Sequence, residues 1–438
     1  MCEGDGVMRI ALWGYGGYGK KLFRTLRKNW IKRYSVTAVF DCSVENDDEV
    51  LLEGEVPLMK TERVAGEYRA GRFEAVLISV VNDGLHAEIE ESLRCLGVPS
   101  MTLITQAELL SMEAFENVSS RDLPFGFVLH EYESIYGFYV SLYSWGTHLY
   151  LFDDCGHPLA DNWFLDYLNY DFGALNPAFP FDKTIAPVVH LAGDYCAISR
   201  NWGKNYWHCT YQLLDQIAVM EESGFGGMYL MPRASYTEEL VALAGIDVRR
   251  IVWLDDFNPD TLYSFERVFI VAEKAYNYER SAQVLLKIAK LIKENAKQLE
   301  DRTREFPSRL FVRRILNRRL LGVDDLLDAY GFQAIVPEEL TVAEQVQYFS
   351  HADIVLSPHG ANSTNSLYMR PGSAFIETFG RGWAYLGCVE TLRLNGVHYF
   401  PVVQTPIPGD GVGSYSSDYW VNKSILKMAI ESAIQLTE

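Results

Sequence analysis

Several short stretches of this chain carry side chains that could do chemistry. Ser357-Pro358-His359-Gly360-Ala361-Asn362 lies within DIVLSPHGANSTNSLYMRPGSAFIETF (353–379). Val355 and Leu356 read as the end of a buried strand, and Asn362 to Met369 as a short helix that begins at once. The N–H groups at such a helix start lack intrahelical partners, and the helix dipole adds partial positive charge. Gly360 lets a ligand approach the backbone, and His359 is titratable, so the corner suits a phosphate-sized anion. Upstream, arginines 302, 304, 309, 313, 314, 318 and 319 crowd a stretch where Asp301 and Glu305 are the opposing charges. Several of them must be ordinary solvated surface. In NYWHCTYQLLDQI (205–217), His208, Gln212 and Asp215 fall on one helix face at i, i+4 and i+7. That spacing makes a poor metal site. It suits either an acid/base group in a cleft or a structural histidine held by hydrogen bonds. Near the start, MRIALWGYGGYG (8–19) sets Gly14, Gly16 and Gly19 after a strand, with Asp41 closing the next strand. This is the dinucleotide-fingerprint spacing, with the acid placed for a ribose hydroxyl. It fits a module that binds a nucleotide or sugar nucleotide, or one retained for structure or regulation.

The elements that must position these residues follow from pattern. Strands at 8–13, 36–40 and 75–80, with helices at 20–28 and 87–96, make a small α/β unit ending near residue 105. From 106 to 200 the chain is rich in aromatics, and alternation through Phe138, Val140 and Leu142 reads as strands. These aromatics would form a sugar-stacking platform or simple core. A helix from about 206 turns Tyr206, Thr210, Leu213, Leu214 and Ile217 inward. Strand–helix–strand rhythm continues through 228–232, 236–244 and 249–254. An amphipathic helix over 279–299 buries Val284, Leu285, Ile288, Leu291 and Ile292. A last α/β region has strands at 308–314, 353–357 and 374–379 and helices at 323–330 and 342–351. Arg313 and Arg314 then stand at a strand's carboxyl end, the edge where open α/β sheets bind ligands. His359 and Glu377 belong to the same edge. Guanidinium, helix N-terminus and carboxylate together suit a nucleoside diphosphate, the carboxylate taking the ribose hydroxyls. The Gly/Pro/Ser-rich segment 406–419 reads as a lid or surface turn.

A net charge of −19 in 438 residues argues against nucleic acid or an anionic membrane as the main partner. The composition, 48% hydrophobic and 22% charged, is that of a folded globular protein of two or three domains. No stretch of 18 apolar residues is present to span a bilayer, and the opening residues have no signal-peptide pattern. Seven scattered cysteines without a CxxC pair fit reduced thiols, so the expected location is cytoplasmic.

Four stretches in order, NYWHCTYQLLDQI, SRLFVRRILNRR, PEELTVAEQVQYFSHAD and SPHGANSTNSLYMRPGSAFIE, resemble glycosyltransferase family 61. Bacterial members of this family are often labelled capsular polysaccharide biosynthesis proteins. The resemblance runs from about 201 to 380, and the front unit resembles small Rossmann-like modules attached to bacterial sugar-modifying enzymes. One departure is Leu321-Gly322-Val323-Asp324, where the family shows an Asn-Glu pair; Asp324 or Asp325 would have to stand in.

The resemblance implies an α/β chain of GT-B plan with two Rossmann-like lobes behind the front module. Its parts are a Rossmann-like module (1–105), an acceptor-side lobe (106–300) and a nucleotide-sugar lobe (301–438). It implies an inverting, metal-independent transferase whose donor is a UDP- or GDP-linked sugar, with no further cofactor. Arg314, supported by Arg309 or Arg313, with His359 and the amides of Gly360, Ala361 and Asn362, would offset the leaving charge. Glu344, Asn365 and Glu377 fall on family motifs and join the expected donor site. His208, with Asp215 second, is the candidate base for the acceptor hydroxyl. The acceptor would be a glycan or lipid-linked glycan, and peripheral contact with a membrane stays open. Two rival readings remain. One is an NAD-dependent sugar-modifying enzyme built on the front module, for which no Tyr-x-x-x-Lys dyad is found. The other is a non-catalytic sugar-binding subunit, favoured by the missing Asn-Glu pair.

Overall fold

A computed structural model describes residues 8–16, 19–20, 23, 26–27, 34–44, 50–79, 83–101, 119–143, 146–153, 188–198, 203–258, 261–273, 278–301, 303–380, 387–403 and 418–438. The chain divides into two compact units that are discontinuous in sequence. The first joins residues 1–120, 130–201 and 254–270; the second joins 121–129, 202–253 and 271–438. Val188–Ala197 pairs in parallel with Leu262–Glu273 from Val188↔Leu262 to Cys196↔Phe269, which draws 254–270 back into the first unit.

The first unit opens with a six-stranded sheet of β1 (Met8–Trp13), β2 (Tyr34–Phe40), β3 (Val50–Leu52), β4 (Val56–Met59), β5 (Ala75–Ile78) and β6 (Ser100–Met101), in the order β3-β4-β2-β1-β5-β6. Pairing is parallel except between β3 and β4. Central β1 reads as a continuous apolar run because both faces are covered; Ile10, Ala11 and Leu12 are fully buried. Of the helix expected over 20–28, residues 20, 23, 26 and 27 are described; the first three are helical and Arg27 lies in a turn. Further along the chain come β7 (Ser119–Asp122), β8 (Phe127–Tyr143), β9 (Gly146–Phe152), β10 (Val188–Ala197), β11 (Met228–Met231), β12 (Ile251–Trp253) and β13 (Leu262–Glu273). The strand expected through Phe138, Val140 and Leu142 is part of β8, paired antiparallel with β9. The side chains of those three residues lie outside the described ones, as do residues 102–118, 154–187 and 404–417.

The second unit is built on a five-stranded parallel sheet. Its strands are β14 (Arg309–Val312), β15 (Gln333–Ile335), β16 (Ile354–Pro358), β17 (Ala374–Phe379) and β18 (His398–Val403), ordered β15-β14-β16-β17-β18. Sequence pattern gave the β14, β16 and β17 strands; β18 was not foreseen. One face, with Phe311, Ile354, Leu356, Ala374, Ile376 and Val402, packs against Leu426, Ile430 and Ala433 of the C-terminal helix Lys423–Thr437. Side chains alternate across a strand, so Phe375, Glu377 and Phe379 point to the other face. There the helix Val342–His351 is anchored at its start by a capping box between Thr341 and Glu344. Both oxygens of Glu239 also accept, at 2.9 Å each, from the N–H groups of Val342 and Ala343. In the connector helix Tyr278–Gln298, Val284, Leu285, Ile288 and Ile292 are buried, but Leu291 is 47% exposed. At 100° per residue Leu291 falls just beyond the buried arc, which corrects the expected pattern. Among the described residues no helix is long and apolar enough to cross a membrane.

Candidate active site

β14 and β16 are parallel neighbours with Phe311 opposite Leu356, so the chain segments leaving their carboxyl ends emerge side by side. One carries Arg314 and the other His359-Gly360. A Cβ built on Gly360 would fall 1.8 Å from Arg314 Nη1, so the guanidinium lies directly against the glycine's bare Cα. Gly360 has extended backbone (φ 167°); what it supplies is room, not an unusual conformation. Arg314 donates through Nε to the Asn317 carbonyl at 2.8 Å and through Nη2 to Asn317 Oδ1 at 2.9 Å. Among the described residues no carboxylate forms an ion pair with it. Burial pulls the guanidinium below its ordinary value, against the opposing effects of Glu338 and Tyr419. A partly desolvated cation beside open backbone is the chemistry of an anion seat.

The expected helix over 362–369 is a 3₁₀-helix, Ala361–Tyr368, closed first by the Ser363 N–H to the Gly360 carbonyl at 3.0 Å. Residues Asn362 to Tyr368 are all buried, because this helix packs under the sheet edge instead of lying on the surface. Asn362 donates to Glu338 at 3.2 Å.

His359 is held tightly. Its Nδ1 lies 2.7 Å from Glu377 Oε1, its N–H reaches the Thr378 carbonyl at 2.8 Å, and its ring stacks on Phe379 with centroids 4.8 Å apart. Ser363 Oγ donates to the same Glu377 oxygen at 2.7 Å, and Tyr399 OH to Oε2 at 2.7 Å. Glu377 is 1% exposed and both its oxygens are engaged within the chain. It therefore supports His359 and does not face outward as a ribose ligand would.

The other expected residues separate by position. Arg313 follows β14 at the ligand edge and pairs with Asp324 at 2.9 Å, which engages the acid nearest the missing Asn-Glu pair. Arg309 begins β14, so it lies at the amino edge, where it donates to the Tyr330 carbonyl at 2.8 Å. Support of the Gly360 corner by Arg309 is excluded by strand direction. The Glu344 carboxylate closes the capping box and pairs with Arg304 at 2.7 Å. Asn365 is wholly buried, accepting from Tyr206 OH at 2.8 Å and donating to Gln345 Oε1 at 2.8 Å. These two motif residues tie elements together; neither presents its side chain at the corner.

Tyr206 ties the His208 stretch to the 3₁₀-helix through Asn365. After a turn at Tyr206–His208, capped by Asn205, the chain runs as a π-helix over Cys209–Leu213 before the α-helix Leu214–Glu222. Such wide turns are rare and cluster at functional sites. Here His208 Nδ1 sits 2.7 Å from Gln212 Oε1 and its ring meets Trp207 edge-on at 4.8 Å. Asp215, by contrast, is 1% exposed and accepts from the Gln216 N–H at 2.7 Å. Tyr206, Thr210, Leu213, Leu214 and Ile217 are buried as expected.

In the front module, Gly14 takes a left-handed φ of 103° at the strand end, and a Cβ on Gly19 would strike the Gly14 carbonyl oxygen at 2.0 Å. Around Gly16 the space is open. Asp41 is already occupied: its carboxylate accepts from the Tyr15 N–H and from the N–H (2.8 Å) and Oγ of Ser43. Burial pushes its carboxyl up, but the hydrogen bonds from Ser43 and Tyr15 and the charge of Lys20 hold it below 3.8. The glycine turn thus carries an anion of its own chain. Among the described residues no group of three or more His, Cys, Asp or Glu side chains could hold a metal ion. The described cysteines, Cys42, Cys95, Cys196, Cys209 and Cys388, are free thiols.

Residues 206–376 match the family model Glycosyltransferase 61. The match takes in the π-helix, Arg314 and the His359 corner, and ends one residue before Glu377. It supports a glycosyltransferase role for this segment and leaves the front module outside. No curated protein matches the chain. Among solved structures, similarity is slight. The methyltransferase FkbM from Methylobacillus flagellatus KT is 8% identical over 98% of this chain and 84% of its own, with a TM-score of 0.24. A glycerate dehydrogenase related protein from Thermoplasma acidophilum is 11% identical over 57% of this chain and 100% of its own, with a TM-score of 0.16.

Proposed function

We propose that the chain is an inverting glycosyltransferase of GT-B plan, moving a sugar from a UDP- or GDP-linked donor to a glycan or lipid-linked glycan acceptor. The setting would be capsular or other cell-surface polysaccharide synthesis at the cytoplasmic side of a membrane. The observation that carries this reading is Arg314, a half-buried cation lodged against Gly360 at the carboxyl edge of the β14–β16 pair. In the reaction, the acceptor oxygen bonds to the anomeric carbon as the bond from that carbon to the diphosphate breaks. The hydroxyl proton passes to a base, and negative charge grows on the departing diphosphate. In this reading Arg314, the amides of Gly360, Ala361 and Asn362, and the His359 imidazole would offset that charge without a metal ion. Glu377 fixes His359 through Nδ1. His208 is favoured as base over Asp215, whose carboxylate is buried and engaged at its own helix turn.

The test is hydrolysis or transfer of UDP- and GDP-sugars by wild type, His359→Ala, Arg314→Ala and His208→Ala. The reading predicts turnover in wild type and its loss in all three. Wild-type rates in the Arg314 and His359 variants would refute the site. NAD binding by the front module, with no nucleotide-sugar turnover, would favour the oxidoreductase reading.

A further inference from the structure

Glu377 is a buried carboxylate on which three donors converge, two on Oε1 and one on Oε2. One of the three, Tyr399, lies outside the family-matched stretch, on the β18 strand. We infer that Tyr399, together with Ser363, is a positioning residue that holds Glu377 and through it the tautomer and orientation of His359. This rests on the proposed role of His359 in the donor site.

The register explains how Tyr399 gets there. It is the Cα partner of Phe375, and its ring stacks on Phe375 with centroids 6.2 Å apart and an interplanar angle of 17°. Glu377 stands two residues further along β17 on the same face, so the phenol extends along the strand to Oε2. Burial first, and then the charge of Glu377, push the Tyr399 phenol far above its ordinary 10.0, which keeps it a donor. Ser363 reaches the other oxygen from the first turn of the 3₁₀-helix. A carboxylate only accepts, so His359 Nδ1 carries the hydrogen on that side. The remaining freedom of the ring is limited by its stack on Phe379. Two neighbouring strands and the helix start thus aim one imidazole.

The experiment has two arms on the full chain. In the first, ¹⁵N-histidine NMR of ligand-free protein follows the His359 Nδ1–H signal, assigned by its loss in His359→Ala. Tyr399→Phe and Ser363→Ala are expected to shift it and speed its exchange with water about tenfold or more, from the lost hydrogen bond to a charged group. An unchanged signal in both variants overturns the inference. In the second arm, UDP and GDP affinities are measured in a double-mutant cycle. Tyr399→Phe should weaken binding about tenfold alone and less than twofold in the His359→Ala background. Additive losses would mean that Tyr399 acts independently of His359, and would overturn the inference. Absence of nucleotide binding in wild type would instead strike the functional reading, while the NMR arm still decides the positioning role. Serine 363 provides the second route to Glu377 should Tyr399→Phe not fold.

Discussion

Adding one carbon at Gly360 would place it 1.8 Å from Arg314 Nη1 and 2.9 Å from its Cζ. The backbone tolerates alanine there, since φ is 167°, and a guanidinium can swing aside. Gly360→Ala should therefore cost little stability, under about 1 kcal/mol by thermal unfolding, yet weaken UDP or GDP binding at least about tenfold. Arg314→Lys should not rescue Arg314→Ala, because an ammonium cannot reproduce the fork that grips both Asn317 oxygens while facing an anion. At His208 the expected signature differs. His208→Ala should lower kcat by about 100-fold or more while nucleotide affinity stays within about twofold, the mark of a base that acts in the transition state. A matched fall in affinity and kcat would assign His208 to donor binding instead.

Elements, more than loops, hold these side chains, and the buried amides show the cost. Asn365→Ala would remove the partner of both Tyr206 OH and Gln345 Oε1. Leaving buried polar atoms unsatisfied should destabilise the fold by about 2–4 kcal/mol, read as a lower denaturation midpoint. Glu344 gives a pH test. The Thr341 N–H, and then Arg304, hold its carboxyl below the ordinary 4.5 despite some desolvation. A lowered folded value means the contribution is complete above about pH 4.5 and fades as pH falls through the folded value. Glu344→Gln should thus cost about 0.5–1 kcal/mol at pH 7, and the difference should shrink as pH falls below 4.5 and through the lowered folded value. A difference that grew in acid would contradict the capping role. The alternation of strands and helices from 308 to 379 was legible in the sequence because buried parallel strands read as unbroken apolar runs between clear caps, as Thr341 and Glu344 illustrate. The HYFPVV strand was not, and with it went Tyr399, whose role depends on register with β17 and not on any local pattern. Nor was the π-helix legible, since CTYQL has the spacing of an ordinary helix. Glu377 looked outward in sequence because its strand end is the ligand edge; only its three donors reveal that it faces inward.

At the scale of the whole molecule, the front module and the 308–403 sheet each offer a glycine-containing strand end, and the two differ in charge. Asp41 fills the first from within the chain. At the second, Arg314 sets a cation against Gly360 in a chain of net charge −19. Nucleoside diphosphates should accordingly bind the second unit, and NAD should protect the protein little. The most direct measurement is thermal unfolding of wild type and Arg314→Ala with saturating UDP, GDP or NAD. Ligand at about 100 times its Kd stabilises by about 2.7 kcal/mol. The account predicts a clear rise in Tm for wild type with UDP or GDP, none with NAD, and none for Arg314→Ala with any of the three. Equal protection of both proteins by UDP or GDP, or protection by NAD alone, would contradict it.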